Sequence, residues 1–247
     1  MKQVYISRLA GAPLIKYLAE QKYRIMPVSV YGLGNKSTSG RIHVDARIAT
    51  HPDIYMCQLG LWDESGLFIG DPDKLGPDYP ADIIYNAVCT KSYFIHAAPF
   101  SDPDLVTAVM TWRSGSGDGN MNFVDVRQGY TRCMCLPVDN ESFITSDEDI
   151  AKRLDLTGAK VLCIRPGHID LPGFNYGFIG GCGGHVYEQI KGSDGSVRYQ
   201  RAIVFNGNLA AHPDCEAITS FIKQRNIKPV YFDSYPLCDV GSILAVE

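Results

Sequence analysis

Cysteine, histidine and aspartate at the ends of apolar runs are the residues through which this 247-residue chain could do chemistry. Asp170 closes the glycine turn Arg165-Pro166-Gly167-His168-Ile169-Asp170, which also carries the imidazole of His168. His212 opens His212-Pro213-Asp214, and Cys238 follows Pro236-Leu237 close to the C-terminal end. A thiolate, an imidazole that switches protonation near neutral pH and a carboxylate are the parts of nucleophilic catalysis. Each also has a structural reading: a half-buried thiol, a histidine at a helix start, an aspartate in a turn. The same local solution recurs in His51-Pro52-Asp53, which favours a folding role for such triplets.

Other chemistry is poorly supported. Cys133-Met134-Cys135, with His168, Cys182 and His185 further on, lacks the paired spacing of zinc sites. No metal is therefore expected, and a redox pair at Cys133 and Cys135 stays open. The run Gly177 to Gly184 lacks the GKS/T ending of a phosphate loop, so no cofactor is expected there. Arg127, Arg132 and Arg165 could clamp a carboxylate, although arginines at strand ends more often face water.

The elements that must position these groups follow from periodicity. Helices are expected over Pro13 to Gln21, Leu105 to Trp112, Ile150 to Leu154 and Cys215 to Arg225, three of them opened by Pro/Asp clusters. Strands are expected at Val4 to Ser7, Arg24 to Tyr31, Arg41 to Ala49, Ile54 to Gly60, Gly66 to Gly70, Asp82 to Cys89 and Ser92 to Ala97. Further strands are Met121 to Arg127, Met134 to Val138, Ser142 to Thr145, a buried one at Lys160 to Ile164, and an apolar one ending in Gly180-Gly181. A hairpin at Lys191 to Tyr199 and strands at Ala202 to Phe205, Pro229 to Asp233 and Ile243 to Val246 complete the set. Loops are expected at Gly32 to Gly40 and Ser114 to Asn120.

Comparable strands begin near Arg24, Asp82, Met121, Lys160 and Lys228, an irregular period that points to radial or stacked repeats. Interleaved helices disfavour an all-β propeller, and eight βα units for a TIM barrel are lacking. The fold class expected is α/β, a single domain over residues 1–247 made of five ββαβ modules around a pseudo-fivefold axis. Aligning Val126 to Arg132, Ile164 to Asp170 and Phe232 to Cys238 puts Arg132, Asp170 and Cys238 at equivalent positions, which such a fold brings to one cavity.

Composition bounds the partners. Hydrophobic residues are 45 % and charged residues 20 %, ordinary for a globular chain. A net charge of −4 argues against a nucleic-acid or anionic-membrane surface. No apolar run approaches a membrane-spanning length, and the first residues lack a signal-peptide pattern. The eight cysteines are then expected reduced and the protein cytoplasmic, with Cys57, Cys89, Cys163 and Cys215 as core residues. The partner expected is a small molecule; oligomeric state is not legible.

Four short runs resemble the pentein, or guanidino-group-modifying, superfamily, and most of all an uncharacterised bacterial branch of that fold. They are Pro52-Asp53, Gly167 to Asp170 with Phe178-Ile179-Gly180-Gly181, His212-Pro213-Asp214, and Pro236-Leu237-Cys238. The resemblance implies a cysteine-dependent hydrolase or transferase acting on a C–N bond of a small guanidino or amidino compound. It implies Cys238 as nucleophile, His212 as proton donor to the leaving amine and Asp170 as partner of the substrate cation. Asp53, His168, Arg132 and Asp239 would complete the substrate site. The second acid of the family's first motif and the glutamate before its glycine turn are replaced, here by Arg165 and Pro166 in the latter case. Those losses favour the alternative, a non-catalytic binding protein of the same fold.

Overall fold

The computed structural model describes residues 2–33, 42–62, 65–115 and 120–246. The N-terminal part runs β1 (Gln3–Ser7), α1 (Ala12–Glu20), β2 (Arg24–Ser29), β3 (Gly32–Leu33), β4 (Met56–Leu59), β5 (Gly66–Ile69), β6 (Val88–Cys89), β7 (Tyr93–His96), α2 (Pro103–Gly115) and β8 (Asn122–Asp125). The rest runs α3 (Thr131–Met134), β9 (Cys135–Pro137), β10 (Ser142–Thr145), α4 (Glu148–Asp155), β11 (Lys160–Cys163), β12 (Gly183–Lys191), β13 (Val197–Phe205), α5 (Cys215–Lys223), β14 (Lys228–Val230) and β15 (Leu244–Val246). The chain is mixed α/β, with four small sheets ordered β15-β1-β2-β3, β5-β4-β6-β7-β8, β9-β10-β11 and β12-β13-β14.

One connectivity recurs. In β6-β7-α2-β8, β9-β10-α4-β11 and β12-β13-α5-β14, an antiparallel pair is followed by a helix and a strand parallel to the second. A fourth case joins the two ends of the chain: β15 lies antiparallel to β1, and α1 carries the chain to β2, parallel to β1. Parallel neighbours cannot be joined by a tight turn, so each needs its crossover helix. The hairpin β4–β5 has no such helix and instead lies beside β6.

The helices form where sequence chemistry allows. Pro13 occupies the first turn of α1, while Leu14 and Leu18 bury one face. Asp147 caps α4 by accepting from the Ile150 amide at 2.8 Å, and Glu148 and Asp149 sit at the positive end of its dipole. In α5 the buried positions are Ile218 and Ile222, one turn apart.

Four expected strand starts match closely: Arg24, Lys160 and Lys228 begin β2, β11 and β14, and Met121 precedes β8 by one residue. Asp82 to Cys89 is mostly not a strand. Its amides close turns, Asn86 onto Ile83 at 2.9 Å and Ala87 onto Tyr85 at 2.8 Å, so only Val88–Cys89 enters a sheet. Ile42 to Ala49 is likewise a series of turns, with Ile48 bonded back to Asp45. Arg41, residues 34–40 of the expected Gly32 to Gly40 loop and residues 116–119 lie outside the described part, while Gly32–Leu33 forms β3 and Ser114 and Gly115 extend α2.

The apolar run into Gly180-Gly181 is a loop, because the Phe178 amide is taken by a side chain, Asp239, at 2.9 Å. Strand β11 is partly exposed rather than buried, since it is a sheet edge. For the same reason Cys163 at its end is exposed and is not a core residue, while Cys215, first residue of α5, is half-buried and packs against the edge of a core cluster. Cys57 and Cys89 are buried. No described helix is long and apolar enough to cross a membrane.

Candidate functional site

Five segments, each leading into the first strand of an antiparallel pair, meet around the fully buried carboxyl of Asp53. Asp53 lies on a 3-10 turn, Pro52–Ile54, just ahead of β4. Asn86 precedes β6, Arg132 and Cys133 precede β9, Gly180 and Gly181 precede β12, and Asp239 to Ser242 precede β15. Hydrogen bonds join the five. The Cys133 thiol donates to Asp53 Oδ2 at 3.0 Å, and the Ser242 hydroxyl lies 2.5 Å from the same oxygen. Asn86 donates from Nδ2 to the Asp53 carbonyl at 3.0 Å, and its Oδ1 accepts from the amides of Arg132 at 2.7 Å and Cys133 at 3.3 Å. Arg132 spends its guanidinium on the carbonyls of Gly180, 2.9 Å, and Gly183, 3.3 Å.

Asp239 is the second buried acid of the centre. Its oxygens accept from the amides of Phe178 and Gly241, both at 2.9 Å, and Oδ1 stands 3.9 Å from His51 Nδ1. Close approach explains the glycines here. A Cβ on Gly181 would fall 2.0 Å from Asp239 Oδ1. Gly241 has φ +72° and would drive a Cβ to 2.0 Å from that of His51.

Burial sets the protonation of the cluster. It pushes the Asp239 carboxyl up to about 6 against the pull of its two amide donors and Arg132. Burial likewise raises Asp53, with His51 acting the other way. The His51 imidazole is lowered to about 4 by burial, so it is neutral at pH 7. The Cys133 thiol is raised well above its ordinary value by burial and then by the charge of Asp53. One buried guanidinium thus faces two carboxyl groups, and Asp53 Oδ1 has no hydrogen-bond partner.

A cavity of about 80 Å³ opens against this cluster. His51, Cys133 and Asp239 stand in its wall, and Ile48, Ile54, Tyr130, Leu171, Phe174 and Phe178 make up the remainder. A thiol, an imidazole and a carboxylate therefore share one small apolar chamber, with a second carboxylate behind the thiol. Among the described residues no group of three or more His, Cys, Asp or Glu side chains is placed to hold a metal ion.

The residues nominated from sequence divide into three places. Asp53, Arg132 and Asp239 belong to this buried centre. Asp170 and Cys238 are partners in an isolated parallel bridge outside the strands, Asp239 N donating to Asp170 O at 2.8 Å. Asp170 is exposed, and the half-buried Cys238 thiol is pushed up to about 11 by burial and by Asp239 and Asp170. His212 and His168 form a third group, ring against ring at 5.4 Å. His212 Nδ1 accepts from the Asp214 amide at 3.0 Å, while Asp214 pairs with Arg165 at 2.6 Å. No hydrogen bond links Cys238 to His212; the nearest acceptor to that thiol is the Asp239 carbonyl, 3.6 Å away.

His51, Cys133, Asn86 and Ser242 are site residues that the sequence reading did not nominate. For His51 a signal existed, the triplet His51-Pro52-Asp53, which also suits a turn. Cys133 stood out only as half of a C-x-C pair.

A family model described as a family of unknown function (DUF6873) matches residues 61–244, a span that includes Asn86, Arg132, Cys133 and Asp239. No curated protein and no solved structure matches the chain.

Proposed function

The chain belongs to the DUF6873 family, whose function is unknown, and we propose that its centre is a small-molecule site where Cys133 acts on a C–N bond of a guanidino or amidino compound. The observation that carries this reading is the 3.0 Å bond from the Cys133 thiol to Asp53, set in the wall of a small, partly open cavity. An entering amidinium supplies the positive charge that two carboxyl groups lack, and the same charge eases loss of the thiol proton.

In the step proposed, Cys133 Sγ forms a bond to the amidinium carbon while its proton passes to Asp53 Oδ2. The C–N bond to the amine then breaks, and the amine leaves with the proton from Asp53. Water adds to the resulting S-amidinium as neutral His51 accepts one of its protons. The S–C bond then breaks as C=O forms, His51 returns that proton to sulfur to regenerate the thiol, and the hydroxyl proton of the adduct is lost to water. Asp239 pairs with the cationic carbon's remaining nitrogens. This replaces Cys238, His212 and Asp170 by Cys133, His51 and Asp53 with Asp239.

The five antiparallel pairs that start beside Asp53 support an α-β propeller of the pentein type, with β4–β5 as the module lacking its helix. Eight free cysteines suit a reducing compartment such as the cytoplasm.

The raised Cys133 thiol favours a second reading, in which the cavity binds such a cation without reacting. Labelling by chloroacetamidine and by its neutral isostere chloroacetamide separates the two. Preferential, saturable alkylation of Cys133 by the amidine, lost in Cys133→Ser and reduced in Asp239→Asn, is the catalytic outcome. Protection of the fold by acetamidine without any adduct at Cys133 is the binding outcome. Equal labelling by both reagents, confined to exposed Cys163, together with no protection of the fold by acetamidine, overturns both.

A further inference from the structure

We infer that the compound taken by this cavity carries an apolar arm, aryl or branched alkyl, and not the zwitterionic arm of an amino acid, with Phe174 as the residue that selects it. The inference rests on the cation-binding reading of the same site. A cavity on the order of 150 Å³ holds one benzene ring, so about 80 Å³ holds a planar cationic head and little more. The arm must then lie along the apolar lining, which is Ile48, Ile54, Leu171, Phe174 and Phe178.

Among the described residues, the polar groups bordering this lining, apart from His51 and Asp239 at the head end, are already committed. The Tyr130 hydroxyl donates to Asp82 Oδ2 at 2.5 Å. Arg47 pairs with the Asp45 carboxylate, donates to the Gly173 carbonyl at 2.5 Å and stacks its guanidinium 4.0 Å from the Phe174 ring centre. Arg132 is buried on the carbonyls of Gly180 and Gly183. An α-carboxylate and α-ammonium entering here would lose water without gaining partners, a large penalty for charged groups. An apolar arm loses only unfavourable water contact. Phe174 is 40 % exposed, so its ring has free surface to offer such an arm.

Titration calorimetry at pH 7.5 with four probes tests this. N-benzylguanidine has head and apolar arm, L-arginine has head and zwitterionic arm, methylguanidine is little more than the head, and N-benzylurea is the neutral isostere. N-benzylguanidine is expected to bind at least ~10-fold more tightly than L-arginine, the discrimination an apolar subsite gives. Phe174→Ala is expected to reduce N-benzylguanidine to the affinity of methylguanidine while leaving methylguanidine unchanged, and Phe174→Leu to restore most of the difference. L-arginine matching N-benzylguanidine overturns this inference alone. N-benzylurea matching N-benzylguanidine overturns the cation site and this inference with it, as does binding of none of the four.

Discussion

Two regions of the molecule hold the same kinds of side chain and arrange them differently. Around Asp53 a thiol, an imidazole and two carboxyl groups are buried and face one cavity. Away from that cavity, Cys238 with exposed Asp170 and buried His212 with His168, Asp214 and Arg165 carry equivalent groups, most of them settled by immediate neighbours, although His212 Nε2 has no hydrogen-bond partner. Arg165 and Asp214 satisfy each other in an exposed pair, and His212 Nδ1 is occupied by a main-chain amide two residues away. The centre keeps an unbonded carboxylate oxygen and a protonated thiol bonded across 80 residues of sequence. Residue type alone does not make a site; unmet electrostatic demand gathered at a cavity does.

The largest effect that separates the regions is expected at Asp53. Asp53→Ala removes the acceptor for Cys133 and Ser242 and leaves buried Arg132 less compensated, which should cost about 3–5 kcal/mol in urea unfolding. Arg165→Ala, at the surface, should leave the unfolding midpoint where it is. Comparable losses from the two would erase the distinction.

Titration of the centre comes next. Asp239 has its pKa raised from 3.8 to about 6, so between those values the folded state binds the extra proton and stability from this group falls as pH rises, by about 3 kcal/mol in all. His51 has its pKa lowered from 6.5 to about 4, so between those values the unfolded state binds more proton and stability from this group rises with pH. The two slopes oppose each other between about pH 4 and pH 6. Asp239→Asn should therefore gain stability relative to the parent as pH increases across that window, and His51→Asn should lose it. Parallel pH profiles for parent and variants would show that neither group is buried as described.

Glycine substitutions sharpen the contrast further. Gly181→Ala meets Asp239 at 2.0 Å and should cost about 1–3 kcal/mol. Gly167→Ala, in the surface turn, has open space around it but φ +89°, and should cost nearer ~1 kcal/mol from backbone strain alone. The smallest effect is expected of Cys238→Ser. It should change neither acetamidine protection nor labelling of Cys133, whereas a thiol essential to the site would abolish both.

Much of the fold was legible, because strand starts such as Arg24, Lys160 and Lys228 follow local patterns of apolar and β-branched residues. The turns at 42–49 and 81–87 were not. They are apolar enough to read as strands, but their amides close on neighbours three residues back or fewer. Arg132 could be nominated from the register of aligned strand-end turns, and Asp53 and Asp239 from the resemblance to the pentein family. The partnership of Cys133 with Asp53 could not, since it is made between distant segments and leaves no mark on either one's neighbours. The register of strand-end turns put Cys238 with Asp170, and these do lie side by side in a bridge.

Asn86 gives the centre a mechanical property of its own. Its single carboxamide grips the main chain on both sides of the thiol–carboxylate bond, at Asp53 through one end and at Arg132 and Cys133 through the other. A displacement of either turn is therefore passed to its opposite number, and the gap between sulfur and oxygen is held by a rivet rather than left to two loops wandering separately.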